Sequence, residues 1–174
     1  MVVRISDKTQ NYSKVTKLLV KPNYISELKS LLKEYDVSAS YITLEVLEST
    51  VIEDFKLFNQ ILLEVKKLGF SVSLDDFGSG YSSLNVLSKL TIDELKIDRI
   101  FLHIDSDLEN KKTKWILEGI INIAKKSNIR VVVEGVESSK DDEFIRCLGA
   151  NVGQGYYYSR PLSIDAFNDL IHKK

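Results

Sequence analysis

Short segments with strand character alternate along this chain with longer segments of helical periodicity, and the links between them are short. The predicted strands span 1–6, 41–47, 70–75, 92–97, 129–133 and 151–154. The predicted helices span 22–35, 53–68, 83–88, 112–127, 141–148 and 164–171. The apolar run at 129–133 is typical of a strand buried on both faces. This alternation predicts an α/β domain around a mostly parallel sheet.

One domain accounts for the whole chain, because 174 residues are enough for a sizeable core and no linker or repeat interrupts the pattern. The net charge of −1 gives no electrostatic basis for non-specific binding to a nucleic-acid polymer or to a membrane. No segment approaches the ~20 apolar residues of a membrane span. The single cysteine, Cys147, has no partner for an internal disulfide, which indicates a reduced thiol in the cytoplasm.

The segment 71–84, SVSLDDFGSGYSSL, carries the clearest chemical signal. A predicted strand runs directly into two carboxylates, Asp75 and Asp76, and a loop with Gly78 and Gly80 follows. Adjacent carboxylates repel each other and are costly to bury, so stability alone seldom places them at a strand end. Glycines allow the backbone to approach a ligand or a metal closely. Taken alone, the segment is equally compatible with a solvated polar turn.

Polar side chains also mark the carboxyl ends of the other predicted strands. They are Glu45, Asp75, Asp76, Lys96, Asp98, Glu134 and Gln154. Strand side chains alternate between faces, so Ser73 and Asp75 of the third strand and Glu94 and Lys96 of the fourth should lie on a polar face, opposite an apolar face that packs on helices. Ligands bind at the carboxyl ends of parallel strands, so we expect several carboxylates and one ammonium to converge. With two His and one Cys, a metal here would be held by oxygen ligands. A pair of divalent ions would neutralise the carboxylates, and such a site suits phosphoester hydrolysis.

Simpler interpretations of these residues stay open at this point. Glu45 and Glu48 are each compatible with an ordinary surface acid, because charged side chains are mostly exposed. Lys96 is compatible with a structural ion pair to Asp98 or Glu94.

Five segments resemble the motifs of EAL domains, the cyclic-di-GMP phosphodiesterases. They are TLEVLES, SLDDFGSGYSSL, ELKIDRIFL, VVVEGVES and GQGYYYSRPL, which occur in the family's order between about 41 and 162. The resemblance implies a TIM-barrel-like (β/α) fold. It also implies that cyclic-di-GMP is bound and cleaved to the linear dinucleotide pGpG with two Mg²⁺ or Mn²⁺ ions.

The resemblance also assigns roles to individual residues. The implied metal ligands are Glu45, Asp75, Asp76 and Glu134. The implied catalytic groups are Lys96, Glu134 and Asp76. Supporting side chains and loop positions are Glu48, Gln154, Gly78 and Gly80, and the expected substrate contacts are Asp98 and Arg160. In the family, the loop that Glu48 would steady links metal binding to dimerisation.

The chain departs from the family pattern in two ways. The namesake E-A-L segment and the first barrel strands are absent, and Arg4 stands where the alignment places an asparagine ligand. Arginine has no acceptor atom and cannot ligate a metal, so we expect hydrolysis by this chain alone to be impaired or absent. A non-catalytic cyclic-di-GMP receptor, a protein-interaction regulator, and an enzyme completed by another chain are the alternatives.

The strand count gives a further expectation about assembly. Six predicted strands fall short of the eight of a closed barrel, so the predicted fold is incomplete and leaves strand edges unpaired. Exposed edges invite pairing with another chain. We therefore expect a homodimer, or completion of the sheet by another segment.

Overall fold

The computed structural model describes residues 23–48, 55–79, 84–102 and 107–172. The helices are α1 (Tyr24–Glu34), α2 (Phe55–Lys67), α3 (Leu84–Lys89), α4 (Asp107–Lys126), α5 (Ser139–Cys147) and α6 (Ile164–His172). The strands are β1 (Thr43–Leu47), β2 (Ser71–Phe77), β3 (Glu94–Ile97), β4 (Arg130–Glu134) and β5 (Val152–Gln154). Two short 3₁₀ turns, Ala39–Tyr41 and Arg99–Phe101, precede β1 and follow β3.

The five strands form one sheet in the order β1-β2-β3-β4-β5, and every neighbouring pair is parallel. A helix connects each strand to the next along the chain. The predicted α/β fold with a parallel sheet is therefore confirmed. The first predicted strand, at 1–6, lies outside the described residues.

Helix α4 begins earlier than its periodicity predicts. The sequence indicates an acidic connection from 102 to 110 and a helix from 112, whereas α4 starts at Asp107. The last part of the segment predicted as an acidic connection therefore belongs to the first turn of α4.

One face of the sheet packs into the apolar core. Val72 and Leu74 of β2 are fully buried, and they belong to the same cluster as Leu62 of α2 and Leu117 of α4. Burial of a side chain of this size stabilises the fold by about 1.5–3 kcal/mol. The alternate residues are therefore directed to the opposite face of the sheet.

That opposite face is polar, although it is also buried. Ser73, Glu94 and Lys96 are buried there. Ser73 Oγ donates a hydrogen bond to Glu94 Oε1 at 3.1 Å, and Arg130 Nε lies 3.5 Å from Glu94 Oε2. Lys96 follows Glu94 by two residues and so lies further towards the carboxyl end of β3 on the same face. The predicted separation of apolar and polar faces is confirmed.

At the amino-terminal edge of the sheet, polar side chains form an ion pair and hydrogen bonds with neighbouring elements. Lys66 Nζ, near the end of α2, lies 2.6 Å from Asp93 Oδ1. The other oxygen of Asp93 accepts a hydrogen bond from Val72 N at 2.9 Å. Asn59 Oδ1 accepts from Thr91 N at 2.7 Å. These contacts tie α2 to the starts of β2 and β3.

Candidate metal and phosphate site

Lys96 lies at the centre of the carboxyl-terminal edge of the sheet. Its side chain is 5% exposed, and its Nζ lies 2.7 Å from Asp75 Oδ1, 2.8 Å from Glu134 Oε1 and 3.1 Å from Glu45 Oε1. The three partners come from three other strands, which the parallel order brings to one edge. Glu45 is thus not an isolated surface acid, and the ion pairs of Lys96 run to these carboxylates rather than to Asp98 or Glu94.

A bulge in β2 brings both aspartates to this site. Leu74 pairs with Leu95 and Phe77 with Ile97, so Asp75 and Asp76 together face the single residue between those partners. In a regular strand, adjacent side chains would point to opposite faces. Asp76 instead has φ +57°, a left-handed conformation that aspartate tolerates better than most residues. The bulge therefore re-aims Asp76, as bulges beside functional sites often do.

The resulting group of carboxylates can accommodate a metal ion. One oxygen each from Asp75, Asp76 and Glu134 lies within 4.8 Å of the other two. Asp75 Oδ1 is buried and lies 2.7 Å from the Lys96 ammonium. Because that one ammonium also pairs with Glu45 and Glu134, the group carries an excess of negative charge that is costly to bury unless a cation binds there. The donor set, which consists of carboxylates, fits a hard divalent cation.

The electrostatics of the site agree with this interpretation. Burial raises the pKa of Asp76, and the neighbouring charges of Asp75, Glu134 and Asp98 raise it further. Burial alone would lower the pKa of Lys96, but the carboxylates of Asp75 and Glu134 outweigh it and raise that pKa overall. Lys96 therefore stays protonated, while the excess of carboxylates makes ionisation of Asp76 costly.

Three of the other predicted residues lie close to this cluster along the chain or the sheet. Glu48 directly follows β1 and is buried, so the surface-acid interpretation does not hold for it either. Gln154 pairs with Glu134 in the ladder between β4 and β5. Asp98 follows β3 and is half-buried, and its Oδ1 accepts a hydrogen bond from Ile100 N at 2.8 Å.

The remaining predicted positions have other surroundings. Gly78 has φ +99°, and a Cβ there would collide with the ring of Phe101, so the glycine allows close packing against the turn after β3. Arg160 is exposed, and its guanidinium carbon lies 4.9 Å from the ring centroid of Tyr156. None of the contacts described joins Arg160 to the carboxylates. Gly80 and Arg4 lie outside the described residues.

Gly135, the residue after Glu134, has no role in the motif resemblance. Gly135 has φ +71°, and a Cβ there would collide with the side chain of Arg99. The glycine thus allows the segment after β4 to pass close to the turn after β3, next to the group of carboxylates. The sequence signal for this position is a glycine that directly follows an acid at the end of a strand.

No helix in the described ranges is both long enough and apolar enough to cross a membrane.

The tyrosine-rich segment 156–158 and helix α6 carry several exposed large apolar side chains. These are Tyr156, Tyr157, Tyr158, Ile164, Phe167 and Leu170.

Comparison with known proteins relates this geometry to a family. The sequence pattern of the EAL domain matches residues 13–161. Over 141 residues the chain is 36% identical to the cyclic di-GMP phosphodiesterase PdeR of Escherichia coli K12, and the match covers 80% of this chain but 21% of PdeR. The chain therefore spans about a fifth of the length of that relative.

Solved structures give the same relationship. The cGMP-bound form of the EAL enzyme Bd1971 superposes with a TM-score of 0.82 at 32% identity, covering 90% of this chain and 41% of Bd1971. The PaMucR phosphodiesterase in complex with cyclic-di-GMP superposes with a TM-score of 0.77 at 32% identity, covering 87% of this chain and 61% of PaMucR. EAL domains have a TIM-barrel-like fold and bind divalent metals. The carboxylate-lined sheet described above belongs to a member of the EAL domain family.

Proposed function

We propose that this domain binds cyclic-di-GMP at the carboxyl-terminal edge of its sheet and hydrolyses one phosphodiester bond to give pGpG. The observation that carries the proposal is the group of Asp75, Asp76 and Glu134 oxygens within 4.8 Å of one another, beside the ammonium of Lys96. Carboxylates that hold divalent cations beside a fixed ammonium suit a phosphodiester, because the cations offset the negative charge of the substrate and of the acids. The relationship to PdeR and to the PaMucR complex supports the choice of cyclic-di-GMP.

The metal-binding residues in this proposal are Asp75, Asp76 and Glu134, together with Glu45 across the sheet. Two Mg²⁺ or Mn²⁺ ions, when bound, supply positive charge that activates water and stabilises the phosphate oxygens. Carboxylate oxygens suit both ions. The position of Asp75 within this group of three neighbouring carboxylate oxygens supports a ligand role for that residue.

Lys96 and Glu134 are proposed to act directly on the reacting groups. The protonated Nζ of Lys96 is held by three carboxylates, and when these bind metal its N–H donors become available to a water or a phosphate oxygen. Glu134 Oε1 lies 2.8 Å from that ammonium and can accept a proton from a water bound beside it. Both groups are rooted in strands, which favours a fixed geometry.

Substrate contacts are proposed for Asp98 and Arg160. Asp98 lies at the end of β3, two residues after Lys96, where a carboxylate can accept hydrogen bonds from a guanine base. Arg160 lies over the ring of Tyr156 on the loop after β5. A guanidinium held over an aromatic ring suits a phosphate or a guanine.

Turnover by this chain alone is proposed to be weak. By the motif resemblance, Arg4 stands at the position of an asparagine ligand, ahead of the matched residues 13–161, and arginine offers no acceptor to a metal. Loss of one ligand or of its support commonly lowers metal affinity or activity by about 10–100-fold. A receptor without turnover is the second candidate, because Lys96 already compensates charge on three carboxylates of the site.

The assembly in which the domain works is also a proposal. Within the described residues, β1 and β5 are edge strands, and α6 exposes Ile164, Phe167 and Leu170. Unpaired edges and bare apolar faces favour a homodimer or pairing with a further segment. Light scattering of the purified chain should give twice the monomer mass of 19.8 kDa if the dimer forms. The single cysteine supports a reducing compartment such as the cytoplasm.

One pair of assays tests the function. The chain is incubated with cyclic-di-GMP and Mn²⁺, pGpG is measured by chromatography, and nucleotide binding is titrated in parallel. Slow pGpG formation that Asp75→Ala abolishes would support hydrolysis, and binding without product would support the receptor. The absence of both nucleotide binding and pGpG formation would refute both candidates. Asp93→Ala is the matched control, because it removes a carboxylate at the opposite edge of the sheet.

A further inference from the structure

The turn after β5 is attached to the segment that follows Glu134. Val136 N donates a hydrogen bond to Gln154 O at 3.1 Å, and Tyr157 N donates to Val136 O at 3.0 Å. A Cβ on Gly155 would collide with the backbone of Val136, so the two segments are in direct contact. Val136 is fully buried and lies two residues after Glu134. The position of Glu134 therefore depends on how firmly this turn is held.

Tyr158 fixes the turn to helix α5. Its hydroxyl donates a hydrogen bond to Asp142 Oδ1, and the other oxygen of Asp142 accepts from Arg146 Nε at 2.8 Å. The Asp142 side chain is 16% exposed, although Arg146 is mostly exposed. A Cβ on Gly153 would collide with the Tyr158 hydroxyl, so the glycine leaves room for the tyrosine over β5. We refer to Tyr158, Asp142 and Arg146 as the tyrosine latch.

The protonation states of the latch suit a strong hydrogen bond. Burial, followed by the hydrogen bond to Asp142, raises the pKa of Tyr158 to about 12. The hydrogen bonds from Tyr158 and Arg146 lower the pKa of Asp142. A neutral phenol therefore donates to an ionised carboxylate throughout the physiological range, and such charge-assisted bonds are stronger than neutral ones.

Glu134 is thus held from two directions. On one side, Gly135 passes against the side chain of Arg99 in the turn after β3. On the other side, Val136 is bonded to the turn that Tyr158 fixes. The strand β5 itself is only three residues long, so its ladder with β4 offers little additional restraint.

We propose that Tyr158 is a positioning residue for Glu134, and that the tyrosine latch sets the affinity of the carboxylate site for divalent metal. The inference rests on the proposed function in that it takes Glu134 to be a metal ligand. Groups that support a ligand commonly change metal affinity by about 10–100-fold. Tyr158 acts through the backbone rather than by contact with Glu134, so a smaller effect is expected.

The first test compares two tyrosines that differ in this hydrogen bond. Tyr158→Phe removes the donor to Asp142, whereas Tyr157→Phe removes a hydroxyl that has no hydrogen bond to another described residue. Mn²⁺ binding to the full chain is titrated by electron paramagnetic resonance. Tyr158→Phe should lower the Mn²⁺ affinity by about 3–10-fold, which is less than the usual effect of removing a group that supports a ligand. Tyr157→Phe should lower the Mn²⁺ affinity by less than about twofold. Equal effects of the two variants, or no effect of either, would overturn the proposal.

A double-mutant cycle tests the path through Asp142. Asp142→Ala removes the acceptor and should match Tyr158→Phe, and the double variant should be no weaker than either single variant. Asp142→Asn keeps a neutral acceptor for the Tyr158 hydroxyl and should give an Mn²⁺ affinity between those of wild type and Asp142→Ala, because a bond to an ionised carboxylate is stronger. Additive losses in the double variant would show that the two residues act independently and would contradict the proposed path.

Amide hydrogen exchange gives a readout that needs neither metal nor nucleotide. Exchange of the Val136 amide should accelerate by about 3–10-fold in Tyr158→Phe and stay unchanged in β1 and β2, since local opening follows local contacts. Unchanged exchange at Val136 would contradict the proposal even if the chain bound no Mn²⁺. If Mn²⁺ binds and the latch variants behave as expected, but cyclic-di-GMP neither binds nor reacts, the proposed function fails while the positioning role stands.

Discussion

At the amino-terminal edge of the sheet, Asp93 and Asn59 have matched partners, whereas at the carboxyl-terminal edge three carboxylates contact one ammonium and a fourth, Asp76, lies beside them. Asp93 pairs with Lys66 and also accepts a backbone hydrogen bond. Lys96, by contrast, makes ion pairs with Glu45, Asp75 and Glu134 at the same time. The first arrangement stabilises the fold. The second arrangement destabilises the fold on its own, because the carboxylates repel one another, and a bound cation would offset that repulsion.

The Lys96→Met variant should give the largest effect. Removing the ammonium leaves buried carboxylates without their cation, and breaking a buried ion pair in this way destabilises by about 3–5 kcal/mol. Saturating Mn²⁺ should recover much of this loss, because it neutralises the same groups. Denaturant unfolding with and without Mn²⁺ measures both quantities.

Lys66→Met is the matched control at the opposite edge. Its partner is partly exposed, so the loss should stay below about 1 kcal/mol and should not respond to Mn²⁺. A Lys96→Met variant no less stable than Lys66→Met would remove the difference between the two edges.

Asp93→Ala should have an intermediate effect of the structural kind. It leaves Val72 N without its acceptor and removes the ion pair to Lys66, which together should cost about 1–3 kcal/mol. Mn²⁺ affinity should stay within about twofold of wild type, because the carboxylate lies at the far edge. Calorimetric titration with Mn²⁺ and thermal unfolding separate the two readouts. A large loss of Mn²⁺ affinity would show that the edges are coupled.

Asp76→Asn should have a small effect on stability, and one of opposite sign. Asparagine tolerates the left-handed conformation at this position and removes one of the repelling charges, so we expect the metal-free domain to gain about 1 kcal/mol at pH 7, or roughly 2–4 °C in Tm. The same variant should bind Mn²⁺ at least about tenfold more weakly. A loss of stability without metal would contradict the account of charge repulsion.

The pH dependence of this gain follows from the raised pKa of Asp76. The folded state holds the Asp76 proton more tightly than the unfolded chain, so this group destabilises the fold above its folded-state pKa. That destabilisation disappears as the pH falls below the ordinary value of 3.8. The advantage of Asp76→Asn should therefore shrink between pH 7 and about 4. An advantage that grew on acidification would have the wrong sign.

Much of the fold and of the site could be predicted from the sequence. Strand parity placed Ser73, Glu94 and Lys96 on one polar face, because side chains alternate along a strand. The same rule cannot bring two adjacent aspartates to one site, and the bulge at Asp76 is what does so. The bulge depends on the register with β3, which is a tertiary property.

Other features depended on partners that are distant in sequence. Gly78 was expected to allow close approach of a ligand, and the structure adds that a Cβ there would collide with the ring of Phe101. The bond between Tyr158 and Asp142 joins residues 16 positions apart across two elements, and no local pattern indicates it. Contacts of this kind follow from how the loops meet at the edge of the sheet.

The most direct test of the central claim is equilibrium binding of cyclic-di-GMP to the full chain, with Ca²⁺ present or with a chelator, in wild type and in Asp75→Asn. Ca²⁺ accepts the same oxygen ligands and is expected to support binding with little turnover. We predict saturable binding by wild type that weakens at least about tenfold with the chelator, and a similar weakening in Asp75→Asn. Equal affinity under all these conditions, or no binding by wild type, would contradict the account.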